Sequence, residues 1–197
     1  MSDLVTIHGS PSTGSRSTAA ANYLVGLADA AGYRTSAISV RDLPADELLA
    51  GRSGGALAEA GRRVASASAV IIATPIYKAA YSGLLKLFID ALEPEALAGK
   101  IVLPVATAAT VAHELSIDYA LRPVLAALGA EHVLRGVFLL DAQIPRDARG
   151  GLSFRDGAAS ELHRGAEHLF GALRRIGAGA SQPEPSRGPI DIGFGAP

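Results

Sequence analysis

The chain of 197 residues predicts an α/β fold in which a parallel sheet is covered by helices on both faces. Short apolar runs alternate along the chain with longer segments of helical periodicity. Two of these runs, 69–74 and 101–106, are apolar over almost their whole length, as central parallel strands are. The first run leads through a Ser-rich loop straight into a helix. Together these observations indicate repeated βα units.

The elements follow one another regularly. The first strand is Leu4-Val5-Thr6-Ile7, and the helix after it carries Tyr23, Leu24 and Leu27 at helical spacing. Five strands, each followed by a helix, favour a flavodoxin-like, doubly wound five-stranded parallel sheet of order 2-1-3-4-5. The loops after strands one and three then face one crevice. The predicted strands are 4–7, 35–40, 69–74, 101–106 and 133–140, and the predicted helices lie near 17–31, 55–67, 83–92, 111–128 and 158–175.

Composition predicts one domain over residues 1–176, followed by a mobile tail over 177–197. The last 21 residues contain five glycines and four prolines, although Ile190, Ile192 and Phe194 alternate as a docked edge strand or partner contact would. A net charge of −1 favours neither nucleic-acid binding nor an acidic, docking electron carrier. The absence of cysteine excludes disulfides and thiolate chemistry. Without a signal peptide or a long apolar run, we expect a cytoplasmic protein with no membrane contact.

The loop after the first strand, residues 8–17, has the composition of a phosphate site. It lies at a helix N-terminus, where unpaired N–H groups and the helix dipole favour an anion. Its serines, Thr13 and Arg16 add hydroxyl donors and a fixed cation. Gly9 and Gly14 match neither the Walker spacing nor the dinucleotide Gly-x-Gly-x-x-Gly spacing. The alternative is a capped turn in which Ser15 or Ser17 is the N-cap.

Two further loops are expected at the same crevice. In residues 74–83, Pro75 stiffens the strand exit and Tyr77 offers an aromatic wall for a flat heterocycle. The alternative is a plain strand-to-helix turn with surface aromatics. Residues 107–110 contain two threonines and two alanines, which permit close approach by a ring and equally suit a tight turn.

Four segments carry a resemblance to a known family: 9–17, 73–83, 99–107 and 111–125. They read Gly-Ser-Pro-Ser-x-x-Ser-Arg-Ser, Ala-Thr-Pro-Ile-Tyr-Lys-Ala-Ala-Tyr-Ser-Gly, Gly-Lys-Ile-Val-Leu-Pro-Val-Ala-Thr and Val-Ala-His-Glu-Leu-Ser-Ile-Asp-Tyr-Ala-Leu-Arg-Pro-Val-Leu. The chain resembles the NADPH-dependent FMN reductases of the alkanesulfonate-utilisation type. Those enzymes are the reductase half of a two-component flavin monooxygenase system, and the second and fourth segments are the more specific.

The resemblance implies a site for FMN and NADPH that has no metal and no catalytic acid or base, because the flavin performs the hydride transfer. It also implies that reduced FMN passes to an FMNH2-dependent monooxygenase acting on an organosulfur compound. The residues implied for the FMN phosphate are Ser10, Ser12, Ser15, Arg16 and Ser17. Those implied to border the isoalloxazine are Pro75, Ile76, Tyr77 and Lys78, with Thr107 and Thr110 on the other side.

Two features of the family bear on particular residues. Where the family has a Gly-Gly pair this chain has Ala108-Ala109, so a positive φ there would be strained. The family also has a π-bulge at a tyrosine corresponding to Tyr119, which is expected within 116–121 and at the interface of a homotetramer.

Other functions stay open at this point. An FMN-bound quinone or azo reductase would keep its flavin through the reaction, and a flavodoxin-type electron carrier would not oxidise NADPH. A nucleotide-binding module without activity would neither bind flavin nor oxidise NADPH. His113 and Glu114 suit a solvated helix start, and the acidic and histidine side chains of 161–168 suit a solvent-exposed helix face better than a metal site.

Overall fold

The computed structural model describes residues 3–51 and 55–179. The strands are β1 (Asp3–His8), β2 (Arg34–Ser39), β3 (Ala69–Tyr77), β4 (Ala80–Tyr81), β5 (Ile101–Ala108), β6 (His132–Val133) and β7 (Val137–Leu140). The helices are α1 (Arg16–Ala30), α2 (Ala45–Ala50), α3 (Gly55–Ser66), α4 (Gly83–Asp90), α5 (Arg122–Ala127) and α6 (Asp156–Gly179). Residues 177–179 therefore extend α6 into the segment predicted to be a tail, and residues 180–197 lie outside the described part of the chain.

The sheet is parallel along its main path, in the order β2-β1-β3-β5-β6. The flavodoxin-like α/β architecture with helices on both faces is confirmed, and β1 and β3 lie side by side as the switch-point argument requires. The carboxyl ends of β1, β3 and β5 consequently meet at one edge of the sheet.

The predicted count of five strands, and with it the order 2-1-3-4-5, is wrong, because the described residues form seven strands. The run predicted over 133–140 divides into β6 and β7, which both pair with β5. The break contains Gly136, where a Cβ atom would come within 2.7 Å of Ile117 Cδ1, so the chain leaves the ladder where it packs closely on its neighbour. The additional strand β4 forms a hairpin with the end of β3.

Each sheet face has its own apolar core, which explains why β3 and β5 are apolar without alternation. One core packs α1 and α6 against the sheet, with Ala20, Leu24 and Leu169 among its buried side chains. The other packs α2 to α5 against the opposite face around Phe88 and Leu125. Within the described ranges, no helix combines the length and apolar character that a membrane span requires.

The segment predicted as one helix over 111–128 is divided into three parts. It begins as a 3-10 turn (Val111–His113), continues as a π-helical turn (Ile117–Leu121) and ends as α5. The π-helical turn expected within 116–121 is therefore present, and Tyr119 lies within it.

Candidate functional site

A cleft of about 270 Å³ opens at the carboxyl ends of β1, β3 and β5. Three segments meet there: the loop of residues 9–17, hereafter the phosphate loop; the hairpin formed by β3 and β4, within the loop predicted over 74–83; and the end of β5. The predicted residues that line it are Ser10, Ser12, Ser15, Arg16, Pro75, Ile76, Tyr77 and Thr107. Its other lining residues are Gly14, Ala108, Ala109, Asp141 and Arg146.

The phosphate loop is held by hydrogen bonds between its own residues. Ser10 Oγ accepts a bond of 3.2 Å from Ser12 N–H. Ser15 is the N-cap of α1, because its Oγ accepts from Thr18 N–H at 3.4 Å. The Ser17 hydroxyl lies 2.8 Å from Ser15 Oγ and is fully buried, so it contacts Ser15 and does not line the cleft. The capped-turn interpretation thus describes Ser15 correctly and leaves the rest of the loop available for a ligand.

The backbone of the loop provides a direct test of whether an anion fits. Among the bonds of the described residues, the N–H groups of residues 13–17 donate to no protein acceptor. Five consecutive open donors at the N-terminus of a 15-residue helix suit a phosphate group. The hydroxyls of Ser12 and Ser15 lie on the same cleft wall. The residues present therefore fit the phosphate of a flavin mononucleotide.

The phosphate loop also packs closely against the rest of the site. Gly9 N–H donates to Ala73 O at 2.8 Å. A Cβ atom at Gly9 would lie 2.7 Å from Leu85 Cβ and 3.2 Å from Ala73 O, so a larger residue would displace backbone. The glycine is required here by space.

Arginine side chains tie the loop to the segment after β7. Arg16 Nε donates to Ile144 O at 2.9 Å, and its Nη1 lies 3.5 Å from the carboxylate of Asp141. Arg146 donates to Gly14 O and, at 2.8 Å, to Gly150 O. Asp141 and Arg146 were not predicted from the sequence to lie at this site. Their only signal was position, because residue 141 directly follows the last predicted strand at the same sheet edge.

The hairpin of residues 74–82 forms the wall opposite the loop. The Thr74 hydroxyl donates to Pro75 O and accepts from Ser82 N–H, both at 3.0 Å. Ser82 Oγ donates to Gly9 O and accepts from Leu85 N–H at 3.1 Å as the N-cap of α4. One side chain, Ser82, therefore connects the hairpin directly to the phosphate loop.

The tip of the hairpin is a two-residue turn, Lys78-Ala79. Both residues have a positive φ, 52° and 63°, as a type I′ turn requires, although glycine or asparagine would adopt it with less strain. Tyr77 is 50% exposed and lines the cleft, so its ring lies at the cleft mouth. Lys78 is exposed on the turn and does not line the cleft. Burial, the largest influence, raises the pKa of Tyr81 at the base of the hairpin, which keeps its hydroxyl protonated at neutral pH.

The third wall is the end of β5 and the residues after it. Thr107 is buried and lines the cleft, whereas Thr110 is exposed and its hydroxyl accepts from Ala112 N–H at 3.3 Å. The described non-glycine residues with a positive φ are Lys78, Ala79 and Glu95, so the Ala108-Ala109 pair causes no strain of the kind the Gly-Gly comparison suggested. Below this wall, Ile117 of the π-helical turn packs with Ile76 and Ala108.

The fold and the site define a flavodoxin-like α/β protein with a polar, Ser-rich cleft at its switch point. The sequence model of a protein family, the NADPH-dependent FMN reductases, matches residues 2–144 of this chain. An FMN reductase (NADPH) of Pseudomonas putida is 43% identical over 72% of this chain and 72% of its own, and that of Escherichia coli K12 is 38% identical over 87% and 90%. The apo crystal structure of an NADH:FMN oxidoreductase (EMOB) superposes with a TM-score of 0.79 at 38% identity, over 87% of this chain and 90% of its own.

The chain belongs to the NADPH-dependent FMN reductase family. It is an oxidoreductase that uses FMN and NADPH.

Proposed function

We propose that the chain transfers hydride from NADPH to FMN held in the cleft, and that the reduced FMN then leaves for a separate monooxygenase. The observation that carries this proposal is the juxtaposition of the phosphate loop, with its open N–H groups, and the apolar hairpin wall across one cleft. A phosphate site and a flat apolar wall are the two elements that a flavin mononucleotide requires.

The cleft residues have distinct proposed roles. Ser10, Ser12, Ser15 and Arg16 hold the phosphate, and Ser17 orients Ser15 from beneath. Pro75, Ile76 and Tyr77 border the ring, with Thr107 across from them. Lys78 is proposed to act at the ring's solvent edge and Thr110 to hold the loop after β5, because neither side chain lines the cleft.

The protein's contribution to the reaction is binding and orientation. When bound, FMN supplies the redox chemistry, since its ring accepts a hydride from a nicotinamide stacked on it. The hairpin wall orients the ring, and the phosphate loop fixes its distance along the cleft. The buried core beneath Ile76 excludes water from that face. No acid or base is assigned among the cleft residues.

Release of reduced flavin is supported by the form of the cleft. Tyr77, whose side chain is half exposed, lines its mouth. We propose that the acceptor is an FMNH2-dependent monooxygenase that desulfonates an alkanesulfonate or related organosulfur compound in the cytoplasm. The resemblance of residues 111–125 supports this finer assignment.

We also propose that the chain forms a homotetramer through the face that carries Tyr119. Tyr119, Val111 and Leu115 are 79%, 62% and 58% exposed and lie within nine positions of one another, and exposed apolar side chains of this size are typical of association surfaces. Because the π-helical turn also packs under Ile76, such an interface would adjoin the flavin wall. Tyr119→Ala should reduce the mass measured by light scattering after gel filtration, and an unchanged mass would contradict this interface.

The reductase activity is tested by following NADPH loss at the nicotinamide absorbance band with and without FMN. Rapid oxidation that requires added FMN is expected, and loss of flavin on gel filtration should accompany it. NADPH oxidation that does not depend on FMN would overturn the proposal. Flavin that stays bound while quinones or azo dyes are reduced would favour the alternative reductase.

The monooxygenase part has a separate test. The protein, NADPH and FMN are combined with an FMNH2-dependent alkanesulfonate monooxygenase, and sulfite release is measured. Sulfite should form only with all components present. Reductase activity without any sulfite would contradict the proposed acceptor and leave the FMN reductase assignment intact.

A further inference from the structure

A second cavity, of about 290 Å³, lies on the other side of the phosphate loop, toward β2. It shares Ser10 and Ser12 with the cleft, so one loop separates the two. Its volume is about ten times the share of one water in the liquid, roughly 30 Å³, and it can therefore hold part of a ligand. Its lining residues are His8, Ser10, Ser12, Thr13, Thr18, Asn22, Ser39, Arg41 and Asp42.

The lining is polar and rich in hydrogen-bond donors. It combines serine and threonine hydroxyls with an amide, an imidazole and a guanidinium. His8 is 8% exposed, and its Nε2 has no hydrogen-bond partner among the described residues. Burial also lowers the pKa of His8, so the imidazole is neutral at neutral pH and can donate through one nitrogen.

Arg41 differs from the other cations near the loop. Arg16 and Arg146 already donate hydrogen bonds to backbone carbonyls. Among the bonds of residues 3–51 and 55–179, the Arg41 guanidinium donates none, and its contact with Asp42 is 4.0 Å long. Two-thirds of its side chain is nevertheless covered. It is a partly buried cation whose donors are free to bind an anion.

The position of Arg41 in the fold narrows the kind of anion. It follows the carboxyl end of β2, directly beside the loop after β1. In Rossmann-type sheets, groups at the end of the second strand contact the adenosine ribose of a dinucleotide, and an arginine there accommodates a 2′-phosphate. The loop after β1 lacks the Rossmann glycine spacing, so what this chain shares with those sheets is the place of the arginine beside the second strand. The carboxylate of Asp42, beside Arg41, can accept a hydrogen bond from a ribose hydroxyl. Its negative charge disfavours an anion on the side of the cavity where Asp42 lies.

We propose that this cavity binds the adenosine 2′-phosphate end of NADPH, with Arg41 as the specificity-determining cation. The assignment rests on the proposed function, because the nicotinamide must reach the adjoining cleft. It assigns the 2′-phosphate to Arg41 and not to Arg16, which lines the cleft proposed for FMN and not this cavity, or to Lys78 on the hairpin tip. The loop residues Ser12 and Thr13 supply the neighbouring hydroxyl donors.

The test uses binding without turnover, so that it is independent of the reductase assay. Calorimetric titrations with 2′,5′-ADP and with 5′-AMP, which lacks the 2′-phosphate, are made on the full chain and on two variants. Arg41→Ala removes the proposed cation. Arg34→Ala is the matched control, because it removes the same charge from the opposite end of β2, where Arg34 pairs with Asp3.

The wild type should bind 2′,5′-ADP more tightly than 5′-AMP, and Arg41→Ala should lose about 10- to 100-fold of that preference. Arg34→Ala should retain it, and Arg41→Lys should recover part of it.

In the reductase assay Arg41→Ala should raise the KM for NADPH and leave the KM for NADH and the FMN affinity unchanged. Equal binding of the two nucleotides by the wild type, or an unchanged preference in Arg41→Ala, would overturn the inference. FMN-independent NADPH oxidation would instead overturn the proposed function.

Discussion

The phosphate loop and the hairpin close the same cleft, yet the structure holds them in different ways. In the loop, Ser10, Ser15 and Ser17 are buried and bonded to neighbouring loop atoms, and Gly9 is packed without spare space. The hairpin is bonded at its base by Thr74 and Ser82 and packs through Ile76 on Ile117, while its tip has two residues with a positive φ. One wall is rigid and polar, and the other is apolar, strained and partly exposed. This difference suits a ligand whose phosphate is anchored while its ring is exchanged.

The largest effect is expected where the two walls touch. Gly9→Ala would place a Cβ atom against Leu85 and Ala73, and should lower the free energy of unfolding by about 3 kcal/mol. FMN affinity should fall with it, because the loop must shift. Gly26→Ala is the control, since nothing lies within 4 Å of a Cβ atom there and alanine favours a helix. Urea unfolding of both variants checks this, and equal stability of the two would contradict the close packing.

Removal of the Arg16 cation should weaken the binding of the phosphate by the loop and leave the hairpin wall unchanged. Arg16→Ala should reduce FMN affinity by about 2 kcal/mol, or some 30-fold, if Arg16 makes a charge-assisted bond to the phosphate. Fluorescence titration of FMN measures the change, and Arg16→Lys, which keeps the charge, should recover part of it. Unchanged affinity in a folded Arg16→Ala protein would remove this side chain from the phosphate site.

Ser82 tests the connection between the walls. Ser82→Ala removes the bond to Gly9 O and the N-cap of α4, and should destabilise the fold by about 1.5 kcal/mol. The KM for FMN should rise as the hairpin loosens relative to the loop. Ser66→Ala, at the exposed end of α3, removes a bond of 3.2 Å to Arg63 O and should have little effect. A normal KM for FMN in Ser82→Ala would show that the loop and hairpin position the ligand independently.

The smallest effect should come from the strained tip. Ala79→Gly relieves a positive φ and should raise the free energy of unfolding by about 1 kcal/mol, with little change in FMN affinity. Ala80→Gly, the next residue and part of β4, has no such strain and should destabilise the hairpin. Thermal unfolding of the pair checks the sign, and destabilisation by Ala79→Gly would contradict the strain at this turn.

The part of the site that could be predicted is the part whose chemistry is local in sequence. The phosphate loop is a continuous run after a strand, so its hydroxyls and its position at a helix N-terminus could be inferred from residues 8–17. The alternation of strand and helix placed the loop of residues 74–83 opposite it, although not the hairpin that this loop forms. The direction in which Ser17 points could not be read in the same way, because it depends on how α1 packs on the sheet.

The missed features depend on contacts between distant segments. Arg16 meets Ile144 across 128 positions, and Arg146 meets Gly14 across 132. The division of the last strand into β6 and β7 coincides with bonds from Arg122 to Val133 O and Leu134 O and with the close packing of Gly136 on Ile117. None of these features is encoded in a local pattern. Local propensity therefore predicts one strand in place of two and gives no role to Asp141 or Arg146.

A crystal structure of the FMN complex tests most directly whether the phosphate loop and the hairpin together form the FMN site. In that complex we expect the phosphate within hydrogen-bond distance of the Ser12 and Ser15 hydroxyls and the Arg16 guanidinium, with the ring against Pro75 and Tyr77. A phosphate bound away from residues 9–17, or a ring that does not touch the hairpin, would contradict it.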